Sequence, residues 1–176
     1  MKVIAIAAVT AGGKTTIVNE IKKKLPKATS LHFDDYSFDG EVKDFYKWTL
    51  DGADYSIWDL SPLEKDIKSI KNSGSYEYLL LDYPFAYQHN TIKDYIDYAI
   101  FIDTPLDIAM ARRILRDYKD ATAEEIRNDM ETYLKYARIA YIQMLKDILP
   151  LSDYVVDGTK ELEVLVDEIL RVITGS

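Results

Sequence analysis

The residues best suited to chemistry lie in a short glycine-containing loop near the start of the chain. Residues 8–15 read AVTAGGKT, which matches the phosphate-binding pattern G-x-x-x-x-G-K-[ST] except that Ala8 replaces the first glycine. Gly12 and Gly13 let the backbone curl so that successive N–H groups face one anion. An apolar segment precedes the loop and a helical segment follows it, so the positive end of a helix dipole also faces the anion. The loop therefore predicts a polyphosphate site.

Two side chains of this loop have predicted roles beyond backbone binding. Lys14 is expected to reach the β- and γ-phosphates of a nucleotide and to assist catalysis, and the Thr15 hydroxyl is a hard oxygen ligand for Mg²⁺. The alternative is an ordinary strand-to-helix turn with a solvent-facing lysine. The other predicted nucleotide-binding residues of the loop are Thr10, Ala11, Gly12, Gly13 and Thr16.

An acidic turn, Asp34-Asp35-Tyr36, follows the second predicted strand. Phosphorylation of an alcohol needs a carboxylate that orients the hydroxyl and accepts its proton. Asp34 is the predicted catalytic base. Asp35 and Tyr36 are predicted to bind the substrate, and Asp35 is also suited to orient Mg²⁺-bound water. The alternative is a solvated turn, in which aspartate is common.

A further carboxylate, Asp82, ends the apolar segment at 79–81. An acid in this position can support Mg²⁺ through water. It can instead hold substrate hydroxyls or cap the next turn, and the sequence leaves these three roles open. Asp103 also ends a predicted strand, but Thr104-Pro105 follows at once, which favours a structural turn.

Three arginines, Arg112, Arg113 and Arg116, lie on one predicted helix. Arg112 and Arg116 are four residues apart and share a face, which predicts a clamp over the phosphoryl group during transfer. The alternative is a solvated face whose arginines pair with nearby aspartates. Arg138, on the next helix, is a candidate for the substrate site.

Aromatic side chains offer further candidates, because their rings can stack on a base. Trp48, Trp58, Tyr83 and Tyr87 are the candidates, and Tyr87 is assigned to substrate binding. The chain has 14 tyrosines, so most of them must be packing or surface residues. Neither of the two histidines shows metal-ligand spacing, and neither is assigned a role.

The elements that must position these residues alternate between strand and helix. Apolar runs predict strands at 3–7, 28–33, 78–82, 98–103 and 154–156. Helices are predicted at 14–25, about 41–49, 61 to about 73, 104 to about 119, 122–150 and from 159 onward. This alternation predicts an α/β fold with a doubly wound parallel sheet, whose ligands bind at the carboxyl ends of the strands.

Three helix starts are marked by side chains that can satisfy free backbone N–H groups. Ser61 with Glu64, and Thr122 with Glu125, have the spacing of capping boxes. Thr159 is predicted to cap the last helix. These residues set the expected first turns of the helices.

Composition limits the classes of partner. The chain has 176 residues, a net charge of −8 and no cysteine, which excludes disulfides and thiolate metal sites. An acidic surface disfavours nucleic acid and anionic lipid, and no apolar run is long enough to span a bilayer. We therefore expect a single cytoplasmic domain over residues 1–176, without nucleic-acid or membrane partners, and with a homodimer left open.

Four segments, taken in order, resemble the family of P-loop kinases that includes uridine kinase, nicotinamide riboside kinase and phosphoribulokinase. The third segment is similar to the family's lid region and is the most specific match. Together the segments span most of the chain. They are the loop ending in GKTT at 13–16, the motif FDDY at 33–36, the segment IFIDTPLD at 100–107 running into RRILRD at 112–117, and YAR at 136–138 with Tyr141 and SDYVV at 152–156.

The resemblance implies a P-loop NTPase fold, a three-layer α/β/α sandwich with a five-stranded parallel sheet and a helical lid over about 112–125. It implies ATP as co-substrate and Mg²⁺ as cofactor, with Asp34 as the catalytic base. Arg112, Arg113 and Arg116 are then lid residues near the phosphates.

The expected reaction is transfer of the ATP γ-phosphate to a hydroxyl of a small metabolite, a nucleoside or a nucleoside-like molecule. One alternative is a P-loop kinase for pantothenate, a sugar or a nucleotide. Another is a non-catalytic nucleotide-binding regulator. A GTPase is disfavoured, because N-K-x-D is absent and D-x-x-G does not follow the second predicted strand.

Overall fold

Five parallel strands form the central sheet in a computed structural model that describes residues 1–40 and 42–175. The strand order is β2-β3-β1-β4-β5, and every neighbouring pair is parallel. The predicted five-stranded parallel sheet is therefore confirmed. The strands are β1 Lys2–Ala7, β2 Ala28–His32, β3 Tyr78–Asp82, β4 Tyr98–Asp103 and β5 Tyr154–Asp157.

Seven α-helices flank this sheet in the described part of the chain. They are α1 Lys14–Lys24, α2 Phe45–Leu50, α3 Ser61–Ser73, α4 Leu106–Asp117, α5 Ala123–Thr132, α6 Arg138–Asp147 and α7 Leu162–Thr174. A π-helical turn, Tyr133–Ala137, joins α5 to α6. Short 3-10 turns occupy Phe33–Asp35, Tyr55–Ile57, Lys93–Tyr95 and Leu149–Leu151.

The strands divide the core into two halves, because successive side chains point to opposite faces. Val3 and Ala5 of β1 lie in one half, and Ile4 and Ile6 lie in the other. Residues of α1 and α7 cover the face of Ile4, while residues of α3 and α6 and the aromatic segment around Trp48 cover the opposite face. The sheet is thus the middle of three layers, which explains why its central strands β1, β3 and β4 are continuous apolar runs.

The carboxyl ends of the strands bring the polar candidates to one edge of the sheet. β1 leads directly into the loop at 8–13. Asp82, at the end of β3, lies opposite His32 of β2 and Ile6 of β1. This edge is where ligands bind in doubly wound sheets.

One predicted capping box is confirmed and another is wrong. Thr122 and Glu125 form a complete capping box at the start of α5. Ser61 is instead the first helical residue of α3, which begins after Leu60. The Ser61 hydroxyl donates to the carboxylate of Asp59, so it is not available to the helix.

The predicted cap of the last helix is also wrong. α7 begins after Glu161, two residues beyond Thr159. The Thr159 hydroxyl donates to Asp157 at 2.7 Å. As with Ser61, an aspartate two residues upstream provides a local hydrogen bond that competes with capping.

Two other helices differ from their predicted bounds by more than two residues. The helix predicted over 122–150 is divided by the π-helical turn, and α6 ends at Asp147 before the 3-10 turn that contains Pro150. The helix predicted from about residue 41 begins at Phe45, where the Asp44 carboxylate caps it. Its predicted start at 41 lies outside the described residues. Within the described ranges, no helix is both long and apolar enough to cross a membrane.

Candidate active site

The loop after β1 wraps around the first turn of α1. Gly13 precedes the helix with a φ of 103°, a left-handed conformation that favours glycine. A Cβ atom on Gly12 would lie 2.7 Å from the Cβ of Ala8 and 2.8 Å from the Val9 carbonyl oxygen. Gly12 therefore leaves the space that Ala8 occupies. No side chain caps α1, so its first N–H groups remain open to an anion.

Thr104 fixes this loop from the end of the neighbouring strand. Its buried hydroxyl donates to the Gly12 carbonyl at 3.0 Å. Gly158, after β5, approaches Thr104 so closely that any side chain at 158 would collide with that hydroxyl. The sequence predicted only that Thr104 and Pro105 begin the next helix, which in the structure starts at Leu106. The signal that could have identified Thr104 is a small polar residue that ends an apolar strand.

Thr15, Asp82 and His32 form a hydrogen-bonded cluster beside the loop. The Thr15 hydroxyl donates to Asp82 Oδ2 at 2.5 Å, and His32 Nδ1 lies 3.2 Å from the same oxygen. An ionised carboxylate only accepts hydrogen bonds, so His32 must carry its proton on Nδ1 to bind it. The Asp82 side chain is only 5% exposed. Sequence analysis missed His32, because its role depends on the pairing of β2 with β3.

This cluster fits a magnesium ion shared with a nucleotide. Thr15 and Asp82 present two hard oxygen groups at the end of the phosphate loop. Mg²⁺ takes most of its ligands from water and phosphate, so one or two protein oxygens are sufficient. Across residues 1–40 and 42–175, no group of three or more His, Cys, Asp or Glu residues could hold a metal ion by itself. Of the three roles left open for Asp82, these contacts favour support of Mg²⁺.

Asp34 and Arg116 line the same cavity. Asp34 lies in the 3-10 turn after β2, and its exposed carboxylate lines the cavity. Arg116, on α4, also lines it. The pKa of the Arg116 guanidinium is raised, chiefly by its hydrogen bond to Asp117 and to a smaller extent by the charge of Asp34. The structure thus brings the predicted base and a predicted phosphate-binding arginine together.

Arg112 and Arg113 point to different surroundings. Arg112 lines the cavity with Arg116, and its guanidinium donates to the Gly158 carbonyl at 3.3 Å. Arg113 forms an ion pair with Asp129 of α5 and does not line the cavity. Its side chain is 18% exposed. Arg113 therefore ties α5 to α4, whereas Arg112 and Arg116 share the face that the sequence predicted.

None of the five predicted substrate residues lines the cavity, and one of them, Asp82, lies in the buried cluster with Thr15. The Tyr36 hydroxyl donates to Asp66 at 2.7 Å, and the Tyr87 hydroxyl donates to Asp153 at 2.5 Å. Burial is the main cause that raises the pKa of both tyrosines. The other two, Asp35 and Arg138, are exposed elsewhere on the surface.

The main cavity has a volume of about 760 Å³ and runs across the whole strand edge. One end is formed by residues 158–162, and the middle by the phosphate loop, Arg112 and Arg116. The far end, beyond Asp34, is formed by aromatic and small apolar side chains. These are Phe33, Phe45, Trp48, Tyr55, Trp58, Phe85, Ala137, Ala140 and Met144.

Sequence analysis identified only part of this aromatic end. It named Trp48 and Trp58 as stacking candidates but gave no role to Phe45, Tyr55 or Phe85. The segment that carries most of these rings lacks helical or strand periodicity. Its density of aromatic residues was the only available signal.

The fold and the arrangement of the site are those expected of a P-loop kinase. A phosphate loop follows the first strand of a parallel sheet, and Lys14, Asp34 and two arginines line the cavity above it. These groups can hold a polyphosphate, neutralise its charge and accept a proton from a hydroxyl.

Known kinases resemble this chain over most of its length, although no family model matches it. The uridine kinase of Staphylococcus haemolyticus is 23% identical over 190 residues, which cover 94% of this chain and 91% of that protein. The uridine kinase of Borrelia hermsii is 26% identical over 182 residues, which cover 89% of this chain and 86% of that protein. The solved structure of a deoxyadenosine kinase from M. mycoides shares the fold, with a TM-score of 0.52, 18% identity, and coverage of 99% of this chain and 100% of that one.

These relatives confirm the resemblance to uridine kinases that the motifs predicted. They support an ATP-dependent kinase, with ATP as co-substrate and a small molecule as acceptor. The identity of that acceptor is a separate question.

Proposed function

We propose that this protein transfers the γ-phosphate of ATP to a hydroxyl group of a small nucleoside or nucleoside-like metabolite. The observation that carries the proposal is that the Asp34 carboxylate and the phosphate loop line one continuous cavity. A nucleotide-binding regulator would need the loop but would have no use for a base beside it. The kinase relatives support the same conclusion.

In the proposed reaction, the acceptor hydroxyl oxygen bonds to the γ-phosphorus while the bond to the leaving ADP oxygen breaks. Asp34 takes the hydroxyl proton as that bond forms. Lys14, Arg112 and Arg116 stabilise the charge on the phosphoryl oxygens. Thr15 and Asp82 would hold Mg²⁺, which neutralises the β- and γ-phosphates when it is bound.

A nucleoside-like acceptor is supported by two independent features. The relatives are named uridine kinases, and the structural neighbour is a deoxyadenosine kinase. In addition, the cavity beyond Asp34 has aromatic walls on which a flat ring can stack. A screen of Mg-ATP consumption with nucleosides, nicotinamide riboside, pantothenate and sugars tests the acceptor class directly.

Two substitutions test the assigned roles. Lys14→Ala should lower kcat by about 10²–10³-fold, as removal of other preorganised electrostatic contacts does. Asp34→Asn should abolish transfer while ATP still binds, because the amide cannot accept the proton. Asp94→Asn is a matched control, since Asp94 is also the middle residue of a 3-10 turn but does not line the cavity. Normal turnover in both Lys14→Ala and Asp34→Asn would disprove the proposal.

A further inference from the structure

Six aromatic side chains enclose the acceptor end of the cavity, and we call them the aromatic box: Phe33, Phe45, Trp48, Tyr55, Trp58 and Phe85. Phe33 belongs to the turn that carries Asp34, and its ring centroid lies 5.2 Å from that of Phe85. A ring bound in the box would therefore lie beside the predicted base. Three members of the box, two tryptophans and one tyrosine, carry a polar atom that can select a ring by its edge.

Two of these three polar atoms are already hydrogen-bonded to the protein. The indole nitrogen of Trp48 donates to the Asp54 carbonyl at 3.0 Å. The Tyr55 hydroxyl donates to the Asp147 carboxylate at 3.1 Å. These bonds hold the walls in place, and a ligand would have to break them to use either group.

The third polar atom, the indole nitrogen of Trp58, is free. No hydrogen bond joins it to another described residue, although only 4% of Trp58 is exposed. Within the described part of the chain, the fully buried side-chain nitrogen and oxygen atoms that lack a partner are the Tyr83 hydroxyl and Arg113 Nε. The Trp58 nitrogen is not among them, so it is accessible, and Trp58 lines the cavity. The box therefore presents a free N–H donor to its occupant.

Contacts on both its backbone and its ring hold Trp58 in place. Its backbone carbonyl lies 3.0 Å from Nε2 of the buried His89, which must carry the proton because a carbonyl only accepts. Its ring centroid lies 4.8 Å from that of Phe85 and 5.7 Å from that of Trp48. The direction of the N–H group is thus set before a ligand arrives, which lowers the cost of ordering it on binding.

The Tyr141 hydroxyl is a less selective group. Tyr141 lines the cavity beside Ala140, but it also borders a small second pocket together with Thr10 of the phosphate loop and Arg113. It therefore lies toward the phosphate side of the cavity. A phenol hydroxyl both donates and accepts hydrogen bonds, whereas an indole N–H group only donates. Trp58 can therefore distinguish an acceptor atom from a donor, and Tyr141 cannot.

A ring that enters the box displaces water from the Trp58 N–H group. If the edge of the ring presents a carbonyl oxygen, a new hydrogen bond replaces the lost one. If the edge is apolar or presents another N–H group, the indole donor is left buried without a partner. One buried group left unpaired weakens binding by about tenfold or more, so the box favours a ring that carries a carbonyl oxygen.

We propose that Trp58 determines the specificity of the acceptor site by donating its indole N–H to a carbonyl oxygen on the ring of the substrate. The substrate class is then a small alcohol that carries a flat ring with a carbonyl group at its edge. The other rings of the box contact the faces of that ring, and Asp34 receives the hydroxyl. This inference rests on the proposed kinase function and names the substrate group that the box recognises.

Titration calorimetry with two probes tests the role of the N–H group. The probes are uridine and its C-phenyl analogue, which has benzene in place of uracil on the same ribose. The wild type should bind uridine at least about tenfold more tightly than the analogue. Trp58→Phe keeps an aromatic face but removes the donor, so this preference should fall by about tenfold. Trp48→Phe is the matched control, because the Trp48 N–H is already bound to Asp54, and it should leave the preference unchanged.

A second variant separates loss of the donor from loss of volume. It carries at position 58 the benzothiophene analogue of tryptophan, in which sulfur replaces the indole N–H and the size of the ring system is kept. The same loss of preference is expected, even if Trp58→Phe folds poorly. The inference would be overturned by an unchanged preference in this variant, by an equal loss in Trp48→Phe, or by tighter binding of the C-phenyl analogue to the wild type.

An assay of phosphate transfer from Mg-ATP on the same variants separates the two proposals. If the preference depends on the Trp58 N–H group but no alcohol in the acceptor screen is phosphorylated, the proposed function fails and the assignment of Trp58 stands. If uridine is phosphorylated but both Trp58 variants keep the preference of the wild type, the assignment of Trp58 fails and the proposed function stands.

Discussion

Replacement of Asp82 by asparagine tests whether this carboxylate supports the metal or the acceptor. A single oxygen, Asp82 Oδ2, receives the Thr15 hydroxyl at 2.5 Å and faces His32 Nδ1 at 3.2 Å. The amide of asparagine keeps one acceptor oxygen but removes the charge. Thr15 then loses the negative group that holds its hydroxyl beside the phosphate loop.

The size of the effect follows from these two hydrogen bonds. A hydrogen bond to a charged group contributes about 1.5–3 kcal/mol, compared with about 0.5–1.5 kcal/mol for a neutral one. Removal of the charge therefore costs about 1–1.5 kcal/mol per bond, or about 2–3 kcal/mol for both. Expressed in metal binding, this raises the half-saturating Mg²⁺ concentration by roughly 30- to 150-fold.

The assay is a Mg²⁺ titration of turnover at saturating ATP and acceptor, repeated as a titration of nucleotide binding without acceptor. We expect Asp82→Asn to shift both Mg²⁺ curves and to leave the acceptor KM unchanged. Asp103→Asn is the matched control, because Asp103 also ends a strand of the sheet but its side chain is exposed, whereas that of Asp82 is 5% exposed and accepts a hydrogen bond from Thr15.

A rise in the acceptor KM with an unchanged Mg²⁺ requirement would refute this reasoning. It would assign Asp82 to the acceptor hydroxyls, which is one of the roles that the sequence left open. Equal effects of Asp82→Asn and Asp103→Asn would show that the charge of the strand end, rather than the contact with Thr15, controls the response.

Three further predictions follow from other contacts. His32→Ala should weaken Mg²⁺-dependent nucleotide binding by about 3- to 10-fold, because it removes one hydrogen bond to Asp82. His32→Asn should bind nucleotide better than His32→Ala, since its amide can donate to the same oxygen. Unchanged binding of His32→Ala in titration calorimetry would contradict this. Trp48→Ala should lower the free energy of unfolding by about 3–5 kcal/mol in urea titrations, since Trp48 is buried, and Trp48→Phe should lose less. Hydrogen bonds from the Thr122 backbone N–H and hydroxyl lower the pKa of Glu125 below its ordinary value of 4.5. The ionised carboxylate therefore stabilises the start of α5 above pH 4.5. This stabilisation is lost as the pH falls through the lowered pKa of the folded state. Amide exchange in α5 should accelerate over that range in the wild type, and no acceleration there would count against the capping box.

The three central strands, β1, β3 and β4, could be predicted from sequence because they are buried on both faces. A continuous apolar run such as β3 needs no partner to be recognised, and its predicted bounds of 78–82 match the structure. The phosphate loop could also be predicted from the sequence, because Gly12, Gly13 and Lys14 are close together in the chain. Local spacing carries the information in both cases.

Features that depend on distant residues could not be predicted in this way. His32 acquires its role only when β2 pairs with β3 and brings it opposite Asp82. Arg113 was assigned to the nucleotide, but it pairs with Asp129, sixteen positions further along the chain. Two pairs of residues have the capping-box spacing of three positions: Ser61 with Glu64, and Thr122 with Glu125. They look alike in sequence, but only Thr122 and Glu125 form a capping box in the structure.

The π-helical turn between α5 and α6 carries a consequence for how this protein can diverge. Ala137 is the last residue of the turn, Ala140 and Met144 follow it at helical spacing, and all three line the cavity. A π-helical turn holds one residue more than an α-helical turn, so loss of one residue from it would restore a regular helical ladder and leave the side chains of α5 and α6 on their present faces. Loss of a residue from α6 itself would instead rotate the following side chains by about 100° and remove the wall. The turn is therefore the place in this helix where the chain can shorten and still keep its cavity.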